Sequence, residues 1–459
     1  MNGISLPQRD QLLLRFFACL DAHGVSYCVL SGLSAENPEY DLDVDISAAP
    51  GDGPLIARLV RDFAQDNDLL LLFDIWSGTC SRAYTLVLRG SAGRVMLKLD
   101  IMAGYGSFRT GEVLRHAELA RNRVYNGMFW TLPPQSELAY LAVRHVLKND
   151  NRTYRAARIR ELHAAVDMAA FKAAFAPVIL DAAKAAATGR LPEQGAALRR
   201  RLVRYGKARM GGRRRLIAAV QEAARHLQRI RHPVGCSIAF LGPDGSGKST
   251  LIAALHKRLS PVFHGVTLLY WRPRLLPTPG RLKFWNPAPE KQENPNPHDV
   301  VPHGRAVSLV RLFYFTCDYI LGHFLVVLPR MIRKDLVIFD RFLNDIRLDP
   351  LRYRMAVPAR LLRLIERLAP KPGIIFALHG PPEVLHSRKP ELSLAETARQ
   401  VDLLLQMARG NRHFTAVQVD RDIEHIADEI IETLLAACAE NGGKHTGPRA
   451  GPRTRPSAG

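Results

Sequence analysis

The feature that most narrows the folds open to this chain is the octapeptide Gly242-Pro243-Asp244-Gly245-Ser246-Gly247-Lys248-Ser249, a complete G-x-x-x-x-G-K-[ST]. "CSIAFLG" before it reads as a buried strand, and "STLIAALHKRL" after it reads as an amphipathic helix. Strand, glycine loop and helix in that order build a cradle for a polyanion. Gly242, Gly245 and Gly247 let backbone N–H groups curl around phosphate oxygens, while the helix aims its positive dipole end at the same place. On this chemistry Lys248 reaches the β- and γ-phosphates of a nucleoside triphosphate, and the Ser249 hydroxyl ligates Mg²⁺. The strands "VTLLYW", "DLVIFD", "GIIFAL" and "TAVQVD" then alternate with helical segments. That alternation predicts an α/β class with a parallel sheet covered by helices on both faces.

A second element closes the strand "DLVIFD", where Asp340 is followed by Arg341 and Phe342. Ligands of open parallel sheets gather at the carboxyl ends of the strands. An aspartate there holds Mg²⁺ through water or orients an attacking oxygen, and the adjacent arginine forks onto an anion.

With these residues in place, 236–438 resembles the thymidylate kinase group of P-loop nucleoside and nucleotide kinases. The group's G-x-D-G-x-G-K-[ST]-T loop is matched from Gly242 to Thr250, including Asp244, and its Asp-Arg-aromatic motif by Asp340-Arg341-Phe342. Its "PPE" helix start is matched by Pro381-Pro382-Glu383 and its basic lid by Arg388-Lys389. The resemblance implies ATP and Mg²⁺ as cofactors, held by Gly242, Asp244, Gly245, Ser246, Gly247, Lys248, Ser249 and Thr250. It implies that Asp244 and Arg341 face the acceptor and that Arg388 covers the transferring phosphoryl group. Arg272 in "YWRPR" resembles the arginine of the acceptor loop. The chain departs from the group at Leu241, at Arg272-Pro273-Arg274, at Gly373 and His379, and in a Pro- and Asn-rich insert, "NPAPEKQENPNPHDVVPHG". The kinase group as a whole implies a nucleotide or nucleoside acceptor, whereas the stretch "DRFLNDIRLDPLRYR" is similar to a subgroup associated with bacterial surface-polysaccharide clusters, implying a sugar, nucleoside or lipid-linked one.

The N-terminal part reads as a small α+β unit, with an amphipathic helix around Leu12, Leu13, Phe16 and Leu20 and strands that include "SYCVLSG", "YDLDVDI" and "RVMLKLDIM". Asp41, Asp43 and Asp45 alternate along one strand and so share a face, where mutual repulsion calls for a cation; Asp100 adds a carboxylate from a neighbouring strand. With Ser31-Gly32-Leu33 upstream, residues 1–150 resemble polymerase-β type nucleotidyltransferases, with the usual Gly-Ser order reversed. That resemblance implies metal ions on Asp41, Asp43 and Asp100, with Asp45 as the spare. The other reading is a degenerate domain kept for substrate binding or docking.

The expected domains are therefore 1–132 (nucleotidyltransferase-like α+β), 133–188 (helical extension), 189–234 (basic linker), 235–440 (P-loop) and 441–459 (disordered basic tail). Charge separates them. The chain carries a formal +21, yet 1–110 holds 9 basic and 13 acidic residues, whereas 189–232 holds 13 basic against Glu193 and Glu222. That basic segment is either a solvated linker helix or a surface for an anionic polymer or membrane; with almost no aromatic residue in it, nucleic acid is not the expected partner. The other expected partners are a small-molecule phosphoryl acceptor and a second copy of the chain. Six cysteines without a C-x-x-C pair argue against a zinc ribbon or a secreted disulfide framework and fit a cytoplasmic compartment. The apolar run 12–20 is broken by Arg15 and is not expected to be a signal peptide. Residues 306–329 approach the length of a membrane span, but Arg311, Asp318 and His323 interrupt them. They read as a buried or groove-lining helix, with peripheral membrane contact as the alternative.

Overall fold

The computed structural model describes residues 7–31, 43–76, 81–149, 152–277 and 303–442. Gly32, Leu33 and Asp41, most of the Pro- and Asn-rich insert and the tail beyond 442 lie outside them. The chain packs as two units that part between Leu227 and Gln228.

The first unit opens with α1 (Gln8–Ala22), β1 (Tyr27–Ser31), β2 (Asp43–Ala48), α2 (Gly53–Asp66), β3 (Leu69–Trp76), β4 (Ser81–Leu88) and β5 (Met96–Met102). A small hairpin, β6 (Gly104–Ser107) and β7 (Gly111–Arg115), leads through α3 (His116–Leu119) to β8 (Val124–Tyr125) and β9 (Trp130–Thr131). The main sheet has seven strands in the order β3-β4-β5-β2-β1-β9-β8. Period-two alternation sorts its faces. Tyr27 and Val29 of β1, with Val44 and Ile46 of β2, join the core under α1 and α2, whereas Cys28 and Leu30 join a second core made by helices. Those helices are α4 (Pro134–Lys148), α5 (Thr153–Ala165), α6 (Met168–Ala174), α7 (Pro177–Ala187) and α8 (Leu191–Arg209).

The basic segment expected as a linker over 189–234 is thus divided. Its first half, α8, is built into the first unit, burying Leu198 and Leu202 in the helical core. Gly206 of α8 meets β7 so closely that a Cβ on it would lie 2.4 Å from the Thr110 carbonyl oxygen. Arg201 pairs with Asp181 at 2.7 Å and Arg209 with Glu118 at 2.6 Å, so part of the positive charge is neutralised locally. The second half is α9 (Gly212–Arg231), a long helix exposed over most of its surface.

The second unit is α/β. After β10 (Cys236–Leu241) come α10 (Lys248–Leu259), β11 (Val266–Tyr270) and α11 (Arg305–Gly322), which continues through a π-helical turn (His323–Val327) into α12 (Leu328–Ile332). Then follow β12 (Leu336–Asp340), α13 (Asp345–Leu348), α14 (Ala359–Leu368), β13 (Ile374–His379), α15 (Pro382–Arg388), α16 (Leu394–Ala408), β14 (Phe414–Gln418) and α17 (Ile423–Gly442). Five strands form a parallel sheet in the order β11-β12-β10-β13-β14, which places β10 at its centre. Residues 305–332 are long and apolar enough to cross a membrane by composition. Asp318 within them is nevertheless fully buried, 2.8 Å from the Arg272 guanidinium, and it also accepts from the Leu276 N–H at 2.7 Å.

Candidate active site

The phosphate loop leaves the carboxyl end of the central strand β10 and enters α10. Gly245 has φ +81°, and a Cβ there would sit 2.1 Å from the Leu385 carbonyl oxygen of α15, so both the backbone conformation and the space demand glycine. Gly247, with φ +75°, is the last residue before α10. Gly247, Ser249 and Thr250 are open to solvent. Lys248 is not: its ammonium is buried and donates to the carbonyl oxygens of Gly242 (2.9 Å) and Pro243 (2.8 Å) and to Ser246 Oγ (3.2 Å). Burial, reinforced by the positive charge of Arg341, brings its pKa down to about 7 despite Asp244, Asp345 and Asp340 nearby.

Asp340 ends β12, beside β10. Among the described residues its buried Oδ1 has no hydrogen-bond partner, and burial holds its pKa above the ordinary carboxylate value although Lys248 and Arg341 oppose this. That oxygen and the exposed Ser249 hydroxyl are both hard oxygen donors, the ligand type Mg²⁺ takes while keeping several waters. Beyond Asp340 the chain turns sharply: Arg341 adopts φ +69°, and its N–H donates to the Phe240 carbonyl at 3.1 Å. At the end of the neighbouring strand β11, Trp271 also adopts a left-handed φ of +62° and donates its N–H to the Asp340 carbonyl at 2.8 Å. Two adjacent strand ends in this uncommon conformation are held by these bonds.

The arginine does not face solvent. Arg341 is buried and spans Asp244 (2.7 Å) and Asp345 (2.8 Å), and Asp345 also accepts from the Tyr353 hydroxyl at 2.6 Å. Arg352 takes the other oxygen of Asp244 and pairs with Asp349 at 3.1 Å. Burial alone would raise the Asp244 pKa, but Lys248, Arg341 and Arg352 together outweigh it and bring it to about 2. Arg272 is committed elsewhere, to Asp318 and to the Leu276 carbonyl (2.9 Å). Arg388 of the expected lid donates to the Val419 carbonyl at 2.8 Å, while Lys389 pairs with Glu391 at 3.0 Å. Beside the strand ends, Trp271 stacks on Tyr353 at 4.4 Å and meets Phe315 edge-on at 4.7 Å, and its buried indole N–H has no partner among the described residues.

Of the residues singled out from sequence, the structure brings Asp244, Lys248, Asp340 and Arg341 together around the loop. Arg352, Asp345 and Tyr353 belong to the same network and were given no role there. Their signal was the position of Asp345 four residues after Arg341 and the Arg-Tyr-Arg triplet that follows.

In the first unit Asp43 and Asp45 share a face of β2, Asp41 lying outside the described residues, and α4 covers Asp45. Asp45, taken as the spare, is the engaged residue: it is buried and accepts from the Arg144 guanidinium and from Ser31 Oγ (2.7 Å) and the Tyr140 hydroxyl (3.0 Å). Burial would raise its pKa, yet Arg144 and Ser31 hold it below the ordinary value. Asp100 lies across from Asp45 in the register of β2 and β5. The Asp43 side chain is 58% exposed and 3.5 Å from Lys98. Among the described residues, no three His, Cys, Asp or Glu side chains gather to hold a metal ion. Tyr140 and Arg144 were missed in the sequence; a Tyr and an Arg one turn apart inside the apolar run "AYLAVRHVL" were the clue.

No family model and no curated protein sequence matches the chain. Among solved structures it is similar to the thymidylate kinase of Ehrlichia chaffeensis, with 20% identity and a TM-score of 0.30 over 44% of this chain and 98% of that one. The second unit is an α/β fold, a five-stranded parallel sheet with the phosphate loop between its central strand and α10.

Proposed function

We propose that the second unit transfers the γ-phosphoryl group of ATP, with Mg²⁺, to a small-molecule acceptor of the nucleotide, nucleoside or sugar class in the cytoplasm. The observation that carries this reading is Lys248: a buried ammonium whose hydrogen-bond partners among the described residues are neutral oxygens of its own loop, beside helix residues that open to solvent. Exchanging two carbonyls for phosphate oxygens replaces neutral partners with charged ones, so the triphosphate gains where the resting loop loses little. Ser249 and Asp340 would hold Mg²⁺, which supplies charge neutralisation on the phosphates. Asp340, with a pKa raised by burial, is also the carboxylate at the strand ends suited to accept a proton from an acceptor hydroxyl. Arg341 and Arg352 fix Asp244 in the loop and keep it ionised. The remaining work is positioning.

For the first unit the favoured reading is substrate selection rather than nucleotidyl transfer, because Arg144 supplies at Asp45 the positive charge that a metal ion would bring. Incubation of the full chain with labelled ATP and pools of nucleosides, nucleotides and sugars tests the kinase reading. Transfer that Lys248→Ala abolishes supports it. ATP hydrolysis without transfer, coupled to ATP-dependent partner binding, replaces it with a nucleotide switch. Mg²⁺- or Mn²⁺-dependent triphosphate binding that Asp43→Ala with Asp100→Ala removes, in a Lys248→Ala background, would restore nucleotidyl transfer for the first unit.

A further inference from the structure

An amphipathic helix on a folded unit normally turns its apolar stripe inward. In α9 the arrangement is reversed. Leu216, Val220, Leu227 and Ile230 fall on one stripe and are 67%, 63%, 51% and 53% exposed, with Ile217 exposed at its margin. The buried residue of this helix is Ala218, and on the same side Glu222 and Arg225 are half-buried and pair with each other. The ion pair faces inward and the aliphatic side chains face water. Arg213, Arg214, Arg215 and Arg231 lie at the two ends, all exposed, and the helix carries six arginines against Glu222 alone.

We propose that α9 is a membrane-surface helix that lies in the headgroup region of an anionic lipid bilayer. Twenty residues make a rod of about 30 Å, long enough to lie flat and bury one continuous aliphatic stripe while its arginines meet lipid phosphates. High charge, low mean hydropathy and an apolar stripe are the marks of an interfacial rather than a spanning helix. Charge decides against the other occupants. A second copy of α9 would bring the same excess of arginine to the contact, and the tail beyond 442 carries four basic and no acidic residues. Nucleic acid would engage the arginines but leave the stripe in water, and α9 has no Phe, Tyr or Trp on which a base can stack.

The test is co-sedimentation of the full chain with vesicles of phosphatidylcholine containing roughly one-third phosphatidylglycerol, against phosphatidylcholine alone. Binding is expected to the anionic vesicles and to fall on the order of a hundredfold when Arg213, Arg214 and Arg215 are replaced by Gln. The decisive variant is Leu216→Ser with Val220→Ser and Leu227→Ser, which leaves charge unchanged and touches only exposed side chains. Loss of vesicle binding with an unaltered melting curve supports insertion of the stripe. Vesicle binding equal to that of the parent chain overturns it, since the +21 charge alone would then explain the attraction. A dimer in sedimentation velocity that the serine variant dissolves, with no anionic-lipid preference, also overturns it and assigns the stripe to a second copy.

Discussion

Nucleotide binding should take up a proton at Lys248, and the amount can be worked from the resting loop. A lysine ordinarily titrates near 10.5, and in this buried position it titrates at about 7. The difference corresponds to about 5 kcal/mol against the charged form in the empty loop. A bound triphosphate reverses that balance, so the complex holds the ammonium charged across neutral pH. At pH 8 only about one-tenth of the empty protein carries the proton, and binding takes up about 0.9 proton; at pH 6 uptake is about 0.1. Above pH 7 affinity for a non-hydrolysable Mg²⁺-nucleotide should therefore fall about tenfold per pH unit. Titration calorimetry in two buffers of different ionisation enthalpy reads the uptake directly. Lys248→Arg, whose guanidinium does not titrate in this range, should bind with little pH dependence. Uptake at pH 8 below roughly 0.3 proton, or the same pH slope in Lys248→Arg, would refute the reasoning. Stability of the empty protein has the matching sign: between about 7 and 10.5 the unfolded chain holds the proton that the folded loop has released, so unfolding takes one up. This contribution therefore rises with pH across that window.

Asp244 gives the same slope in a lower window, although its charged form stabilises the fold where that of Lys248 destabilises it. Its folded pKa of about 2 lies below the ordinary 3.8, so it contributes about 2.5 kcal/mol that is present above pH 4 and fades as pH falls towards 2. Asp244→Asn should lower the urea midpoint of the second unit at neutral pH and flatten its acid dependence; an unchanged midpoint would mean that Arg341 and Arg352 gain nothing from its charge. Gly245→Ala forces a Cβ onto the Leu385 carbonyl at φ +81°, and the variant should lose nucleotide binding in fluorescence titration and more than about 1 kcal/mol of stability. Arg144→Met strands the buried carboxylate of Asp45 and should cost about 3–5 kcal/mol in thermal unfolding. Pairing it with Asp45→Asn should restore much of that loss, and a double variant no better than the single would show that the pair matters for something besides charge balance. Asp318→Ala should destabilise the second unit by a similar amount by leaving Arg272 buried and unpaired.

The parallel sheet was legible because each strand of the second unit is a short apolar run followed by a turn and a helix, a pattern with few solutions. Lys248, Asp244, Asp340 and Arg341 could be located because the loop and the strand ends fix them in sequence as well as in space. What could not be read were pairings across long stretches of chain. Arg352 reaches Asp244 over 108 positions, and Arg144 reaches Asp45 over 99. Alternation correctly put Asp43 and Asp45 on one face of β2, but periodicity cannot say that α4 covers Asp45 with Tyr140 and Arg144 while Asp43 stays open. Nor could composition divide 189–234: α8 and α9 carry six basic residues each, and they differ in whether their leucines find a core.

A common thread runs through the buried cations of the two units: Arg144, Arg341 and Lys248 are each already bonded within the chain, and the partner decides whether each can be recruited. Arg144 sits on a buried carboxylate, and a ligand that displaced Asp45 would leave a negative charge in the interior, a loss of several kcal/mol. Arg341 is held by two carboxylates at once and is harder still to release. Lys248 differs because its partners are two carbonyls and a hydroxyl, all neutral, and each belongs to the loop that a phosphate would rearrange. Giving up neutral hydrogen bonds for charge-assisted ones is favourable, whereas giving up an ion pair for another is close to even. On this argument the phosphate loop is poised for exchange, and the Asp45–Arg144 pair is a fixed strut. A triphosphate offered to the full chain should then bind where Lys248 stands, leaving thermal unfolding of the first unit unmoved while that of the second shifts upward.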